Sequence, residues 1–284
     1  MAFLFPVLAA FLQAGSVTLD KAILRMRHVN FRDYTGVSFP LIFLLTGIAF
    51  LIVRPPLHWE LLTSSMGLLI ILSAGITIVS NAAYYRALDA DSLVEMETIG
   101  LLFVVPTIIA TSVLFTDERN IFVLIPACIA TAAVLWSHWE GHHFRMAKKT
   151  LPYFLWALAA APLQATMIKI LLRTWDPIAL ELVRSLLTGT FFGFMFRQSL
   201  RTVSGAAFRG LVATNILSVI AWFLVYYSYQ RSGIIYTLLL FSLQPFLVYW
   251  ASFFILKERL QWRKIVAFHV VIVAIVTAEI LRRS

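Results

Sequence analysis

Residues 66–115 read MGLLIILSAGITIVSNAAYYRALDADSLVEMETIGLLFVVPTIIATSVLF, two long apolar runs joined by a short acidic stretch. A helix needs about 20 mainly apolar residues to cross the hydrocarbon core of a bilayer, and each run has that length. Lipid offers the backbone no hydrogen-bond partners, so such runs are predicted to be helices rather than open strands. The stretch therefore predicts a membrane protein, and it leaves open whether the acids form a turn or a binding site.

The composition of the whole chain agrees with this stretch. Its 284 residues are 61% hydrophobic and 13% charged, whereas a soluble domain has about 25% charged residues. The net charge of +9 comes from basic residues scattered between apolar runs, which predicts no nucleic-acid partner. Cys128 is the single cysteine, and no ATP-binding, metalloprotease, serine-hydrolase or cofactor motif occurs. The sequence therefore predicts no cofactor, no metal and no enzymatic activity.

Ten spanning helices are predicted, which makes the chain an all-α integral membrane protein. They lie at 2–20, 36–54, 64–86, 92–115, 120–136, 151–172, 177–196, 208–230, 234–255 and 264–281. One set of connecting segments carries fifteen Lys and Arg residues, and the opposite side carries six. Because the more basic side usually faces the cytoplasm, both termini are predicted to face outward, in a plasma membrane of the bacterial inner type.

Four features recur in the same order in the two halves of the chain, which indicates an internal repeat. They are Lys21–Arg25, Tyr84-Tyr85, Pro106 and Glu118-Arg119 in the first half, and Lys169–Arg173, Tyr226-Tyr227, Pro245 and Glu258-Arg259 in the second. Five helices in each half place the second half in the opposite orientation, so the repeats are predicted to be inverted. The predicted units are 1–136 and 151–284, joined by a loop at 137–150, and inverted repeats are typical of transporters.

This pattern resembles the ten-helix, EamA-like family of the drug/metabolite transporter superfamily. The resemblance rests on the five-plus-five plan and on the end of each half, where a proline-containing helix is followed by Glu-Arg and a last apolar helix. It covers nearly the whole chain and implies transport without indicating the substrate. It also implies that helices 1, 3, 4, 6, 8 and 9 enclose a central cavity. Many members are drawn with cytoplasmic termini, in contrast to the orientation predicted here.

Glu97 is the acid of the opening stretch that needs an explanation. Ser92 and Glu95 fit a capping box at the start of the fourth span, and Asp89 and Asp91 fit the turn before it. Glu97 lies beyond this cap, roughly 8 Å along the helix. It could bind a cationic substrate or carry a proton, or it could pair with a nearby base. Both interpretations stay open on the sequence alone.

Other charged residues also lie within predicted spans. Glu181 and Arg184 are three residues apart on one helix, so they could form a structural ion pair, or Arg184 could bind an anion. Lys169 lies near a helix end and is expected to extend toward the headgroups. The string HWEGHH at 138–143 lacks the spacing of a preformed zinc site and is interpreted as a hydrated loop.

Amide and aromatic side chains complete the set of candidate residues. Amides can either join helices or orient a ligand, and the aromatic residues can form an interfacial belt or line a pocket. The candidates in these two classes are Gln13, Asn81, Asn215 and Gln244, and Tyr84, Trp222 and Tyr226.

Together these patterns predict a secondary active transporter that moves a small polar or amphipathic metabolite by alternating access. An acid and a base in the candidate site would suit an amino-acid-like or cationic substrate, and proton coupling is an open option. Two alternatives stay open: a flippase for a lipid-linked group and an intramembrane enzyme. The expected partners are a small-molecule substrate and membrane lipid, and ten helices suffice for a monomer to enclose a cavity.

Overall fold

The computed structural model describes residues 3–27, 29–90, 93, 96, 100, 103–138, 150–199, 203–256 and 262–283. Every regular element in this part of the chain is helical. The α-helices, numbered α1 to α11 in chain order, are Leu4–Leu24, Phe31–Val53, Ser65–Ala90, Val104–Leu114, Ile121–His138, Leu151–Leu171, Pro177–Met195, Gly205–Ser232, Ile234–Phe241, Gln244–Leu256 and Trp262–Arg283. Two short 3-10 helices, Trp59–Thr63 and Thr116–Glu118, lie between them.

Seven of the described helical segments are at least 18 residues long and apolar enough to cross a bilayer. Shorter apolar helices lie at Val104–Leu114, Ile121–Ser137 and Ile265–Leu281. Large apolar side chains point outward; Ile52 and Phe194, for example, are 76% and 79% exposed. Such a surface would cause aggregation in water but is suited to lipid, so the chain is an integral membrane protein.

Local capping signals fix several helix starts. The Asn30 side chain accepts hydrogen bonds from the backbone N–H groups of Arg32 and Asp33, and the Asp33 side chain accepts one from the backbone N–H of Asn30. Helix α2 therefore begins earlier than the predicted span at 36–54. Ser204 caps α8 by accepting from Ala207 N, so the helix begins at Gly205, three residues before the predicted start at 208. The apolar runs alone underestimated the lengths of both helices, because a helix continues past its apolar part to its cap.

The predicted ninth span, 234–255, is divided in the structure. Helix α9 ends at Phe241 and α10 begins at Gln244, and Leu243 N bonds to Leu240 O in the tighter pattern of a 3-10 turn. Pro245 follows at once; it has no N–H to donate, which disfavours a continuous helix through this point. A helix interrupted inside a span is one way in which transporters expose backbone groups within the membrane.

The helices pack in pairs that join the two halves of the chain. Helix α1 packs against α8, α2 against α7, and α5 against α11, while α3 and α4 both pack against α6 and α10 packs against α1. Helices α2 and α7 approach closely at Gly189, where an added Cβ would lie 3.0 Å from Phe39 O. The buried core therefore lies between the halves rather than within each half.

Candidate functional site

Arg184 is a buried cation on helix α7. The helix starts at Pro177, and the preceding Asp176 caps it by accepting from Ile178 N at 2.8 Å. Arg184 follows about two turns later, roughly 10 Å along the helix, and it is only 4% exposed. A guanidinium at this depth needs compensating partners, because an unpaired charge in the membrane interior is costly.

The partners of Arg184 come from three helices. Its Nη1 donates to Glu181 Oε2 at 2.8 Å on α7 and to the Tyr226 hydroxyl at 2.5 Å on α8. Its Nη2 donates to Thr77 Oγ1 at 2.7 Å, and its Nε donates to Ser73 Oγ at 3.1 Å. Ser73 and Thr77 are four residues apart and share one face of α3. The pairing of Glu181 with Arg184 expected from the sequence is confirmed.

Gln164 of helix α6 completes this shell. With the amide turned so that its oxygen faces the guanidinium, the oxygen accepts from Arg184 Nη2 at 2.7 Å and from the Ser73 and Thr77 hydroxyls at 3.0 and 3.1 Å. All five N–H donors of the guanidinium then have acceptors. We call this set the arginine cluster; its members are Ser73, Thr77, Gln164, Glu181, Arg184 and Tyr226.

The arginine cluster has the chemistry to bind a carboxylate. A planar guanidinium can hold a carboxylate through two parallel hydrogen bonds. The Glu181 side chain is 17% exposed, against 5% for Arg184, so it is the more accessible of the two. An incoming carboxylate could replace Glu181 on the guanidinium, and the released Glu181 could accept bonds from a ligand ammonium. A buried ion pair by itself is weak evidence for a purely stabilising role.

A second buried charge, Asp20, was not singled out from the sequence. Its Oδ1 accepts from Tyr34 OH and Thr214 Oγ1, both at 2.5 Å, and its Oδ2 lies 3.4 Å from Tyr85 OH. The residue is 2% exposed and forms no ion pair within the described residues. These four residues, which we call the aspartate cluster, connect α1, α2, α3 and α8. The first span was expected to end at residue 20, but α1 continues to Leu24 and so places the carboxylate one turn inside.

Lys169 was expected to extend toward the headgroups, and this prediction was wrong. It is 7% exposed, its Nζ lies 2.7 Å from Asp117 Oδ2, and it also pairs with Glu118. Glu118 in turn accepts from the backbone N–H of Ile234 and Ile235, at 2.7 and 3.1 Å, at the start of α9. The partners of Lys169 lie more than 50 residues away in the chain, so no local pattern could reveal them.

Lys169, Asp117 and Glu118 form an ion-pair group that joins the two halves of the chain at one end. We call this group the lysine latch. The turn at Gly233 supports it, since Gly233 has φ +87° and an added Cβ would lie 2.8 Å from Glu118 Oε2. The Asp117 carboxylate is largely exposed, and the hydrogen bond from Lys169 lowers its pKa below the ordinary value. Asp117 therefore stays ionised throughout the physiological pH range.

Gln13 and Asn215 contribute polar atoms near the middle of their helices. Asn215 accepts from Ser38 Oγ at 2.7 Å, which joins α8 to α2. Its Nδ2 and the Oε1 of Gln13 are buried, and neither has a hydrogen-bond partner within the described residues. Buried polar atoms without partners are rare in proteins and require an explanation. Both atoms are available to a polar ligand.

The remaining candidates from the sequence are more scattered. Asn81 donates to Thr77 O on its own helix, and the Tyr84 ring packs on Tyr85 and Tyr153. Trp222 is 40% exposed, and its ring centroid lies 5.8 Å from that of Tyr226. Gln244 is 8% exposed at the start of α10. Glu97 lies outside the described residues, and so does the 139–143 part of the HWEGHH string.

A groove of about 1080 Å³ lies at the opposite end from the lysine latch. Its walls come from the start of α2, the last part of α3, the start of α6 and the end of α7. Arg32, Arg86 and Arg197 all line it. Its wall residues Ile78 and Val79 directly follow Thr77 of the arginine cluster, so the groove ends close to that cluster.

The fold and these clusters define a polytopic helical membrane protein with buried charges between its halves. Residues 150–278 match the model of the EamA-like transporter family. A crystal structure of a protein with 16% sequence identity aligns with a TM-score of 0.72 over 99% of this chain and 97% of the other, which shows a shared fold. A search of curated proteins finds no match.

The resemblance noted from the sequence is therefore confirmed for residues 150–278, which carry an EamA-like transporter domain. The match indicates a membrane transporter of this type.

Proposed function

We propose that the protein is a secondary active transporter that moves a small polar or amphipathic metabolite by alternating access. Its moving units would be the two inverted five-helix repeats, 1–136 and 151–284. The pairing of helices supports this division: exchanging the halves turns the α1–α8 pair into the α6–α3 pair, and the α1–α10 pair into the α6–α4 pair. Equivalent helix pairs of this kind are expected where two related halves enclose a site between them.

The arginine cluster is the observation that carries the proposal. It holds a buried base and a partly buried acid, and it gathers α3 from the first half with α6, α7 and α8 from the second. A substrate that carries both a carboxylate and an ammonium can replace the Glu181–Arg184 pair with two pairs of its own. We therefore infer an amino-acid-like substrate, with Gln13 and Asn215 as further contacts.

The two ends of the molecule support an alternating mechanism. The lysine latch closes one end, and the groove opens the other. The Lys and Arg count assigns the groove end to the cytoplasm, so the state described here would be closed to the outside. Transport would require the latch to separate while the groove end closes.

Proton coupling belongs to this proposal as well. Glu97 stays a sequence-based candidate for the coupling group, and Asp20 is the structural candidate. Asp20 is a buried carboxylate bonded to hydroxyls of both halves, so gain of a proton would change bonds that join α1 to α8. Substitution of each acid by its amide separates the two candidates.

Counterflow into proteoliposomes tests the transport proposal. Proteoliposomes that contain the purified protein are tested for counterflow of labelled amino acids, amines and organic acids, with and without a pH gradient. We expect accumulation of at least one zwitterionic compound, loss of that signal in Arg184→Gln, and no loss in the exposed control Arg209→Gln. If no compound accumulates under either condition, the proposal is wrong.

A flippase for a lipid-linked group is the second candidate. The groove favours it, because Phe191 and Met195 on its rim are 42% and 60% exposed and leave it open toward lipid. Translocation of a fluorescent lipid-linked phosphate across the proteoliposome bilayer, without counterflow of any soluble compound, would favour this candidate. The intramembrane enzyme has no supporting observation in the described part of the chain.

A further inference from the structure

The groove has an apolar wall with a regular origin. Val79, Ala82, Ala83 and Arg86 line it from helix α3, and their spacing of three and four residues places them on one helix face. This face is apolar from Val79 to Ala83, about 6 Å along the helix, and ends in the charge of Arg86 one turn later. The small side chains of Ala82 and Ala83 leave room beside the helix.

The opposite wall is also apolar. It is formed by the last turns of α7, where Phe192 is fully buried and Phe191 and Met195 face outward. The floor of the groove is therefore buried, and one side of the groove is open to the surrounding hydrocarbon. An elongated apolar chain could enter from the membrane without crossing water.

One end of the groove is strongly cationic. Arg32, Arg86 and Arg197 lie there, and the one acid among the described lining residues is Asp33, whose carboxylate accepts from Asn30 N in the cap of α2. Neither Arg86 nor Arg197 takes part in an ion pair among the described residues. Two exposed guanidiniums thus face an apolar trough, and no carboxylate of the described residues is bound to them.

We propose that this groove binds one anionic phospholipid of the surrounding membrane. Its phosphate would lie between Arg86 and Arg197, and an acyl chain would lie along Ala82 and Ala83. The groove combines the two parts of such a lipid, a charge at the headgroup level and an apolar path beneath it, and basic pockets between spanning helices favour anionic headgroups. A soluble anion would use the charged end alone. The proposal does not depend on the transported substrate.

Native mass spectrometry of the detergent-purified protein tests the proposal. The protein is mixed with equal amounts of phosphatidylglycerol and phosphatidylcholine, which differ in headgroup charge. We expect one phosphatidylglycerol to remain bound in preference to phosphatidylcholine. In Arg86→Gln/Arg197→Gln its affinity should fall by about thirtyfold, from the usual contribution of a basic side chain at the membrane surface.

The control variant is Arg25→Gln/Arg209→Gln, which removes two exposed arginines of the same membrane side from outside the groove. It should keep the bound lipid. Ala83→Trp fills the trough without changing the charge and should also reduce binding. Equal loss in the groove and control variants would overturn the proposal, because it would show general attraction to charge. Displacement of the lipid by inorganic phosphate would overturn it too, since the site would then accept a soluble anion.

Discussion

The arginine cluster and the aspartate cluster both bury one charged group, but they compensate it differently. Arg184 has an acid, Glu181, among its partners, whereas the donors to Asp20 within the described residues are all hydroxyls. Helices α3 and α8 contribute to both clusters, through Thr77 and Tyr226 at one and through Tyr85 and Thr214 at the other. A movement of α3 relative to α8 would therefore alter both charges, one of which is paired and one of which is not.

Removal of Arg184 should have the largest effect. Arg184→Met leaves Glu181 buried without its cation, and breaking a buried pair costs about 3–5 kcal/mol. Thermal unfolding in detergent should show this loss, and substrate counterflow should fall by about 100-fold because two charge-assisted hydrogen bonds are lost.

The double variant Glu181→Gln/Arg184→Met sharpens the same comparison. It removes both charges, so it should be more stable than Arg184→Met alone. Equal stability of the single and double variants would show that Glu181 does not depend on Arg184.

Substitution of Asp20 should separate binding from coupling. Asp20→Asn keeps an oxygen acceptor and should cost about 1.5–3 kcal/mol, the range of one hydrogen bond to a charged group. If Asp20 carries the coupled proton, counterflow should persist while accumulation driven by a pH gradient disappears. Asp89→Asn, at an exposed aspartate, is the matched control. Unchanged pH-driven accumulation in Asp20→Asn would remove this residue from coupling and leave Glu97 as the candidate.

Loss of the lysine latch should open the closed end. Lys169→Met removes the cation that joins Asp117 and Glu118, so the outward-open state should become more populated by about tenfold. Labelling of Ser232→Cys in a Cys128→Ala background, with a maleimide that cannot cross the membrane, measures this change. Ser232 Oγ is buried at the end of α8, so labelling should be slow with the latch intact. Equally fast labelling with Lys169 present would show that the latch does not control access.

Asp117→Asn should have the smallest effect. The Asp117 side chain is 61% exposed, and exposed ion pairs contribute little to stability. Because Lys169 lowers the pKa of Asp117 below the ordinary value of an aspartate, the carboxylate remains charged at neutral and mildly acidic pH. Labelling of Ser232→Cys should therefore be nearly the same in Asp117→Asn as in the parent when the two are compared at the same pH, at each pH from 5 to 8. A large change in the labelling rate would show that Asp117, rather than Glu118, is the main partner of Lys169.

The sequence predicted those features that depend on local patterns. Apolar runs predicted the seven long apolar helices found among the described residues, and the three-residue spacing of Glu181 and Arg184 allowed the pairing that the structure shows. Contacts between distant parts of the chain were not predictable: Ser73 and Thr77 meet Arg184 more than 100 residues away, and Glu118 meets Lys169. Asp20 was missed because hydropathy ended the first span at the residue that the longer helix buries. The role of Glu97 stays a prediction.

The single-residue connection between α8 and α9 has a mechanical consequence. Gly233 alone separates the two helices, so the joint contains no slack, and a tilt of α8 must change the direction of α9. Glu118 holds the first backbone N–H groups of α9 from the other half of the chain. One carboxylate therefore both pairs with Lys169 and holds the start of α9, so it limits how far the two helices can pivot at this joint.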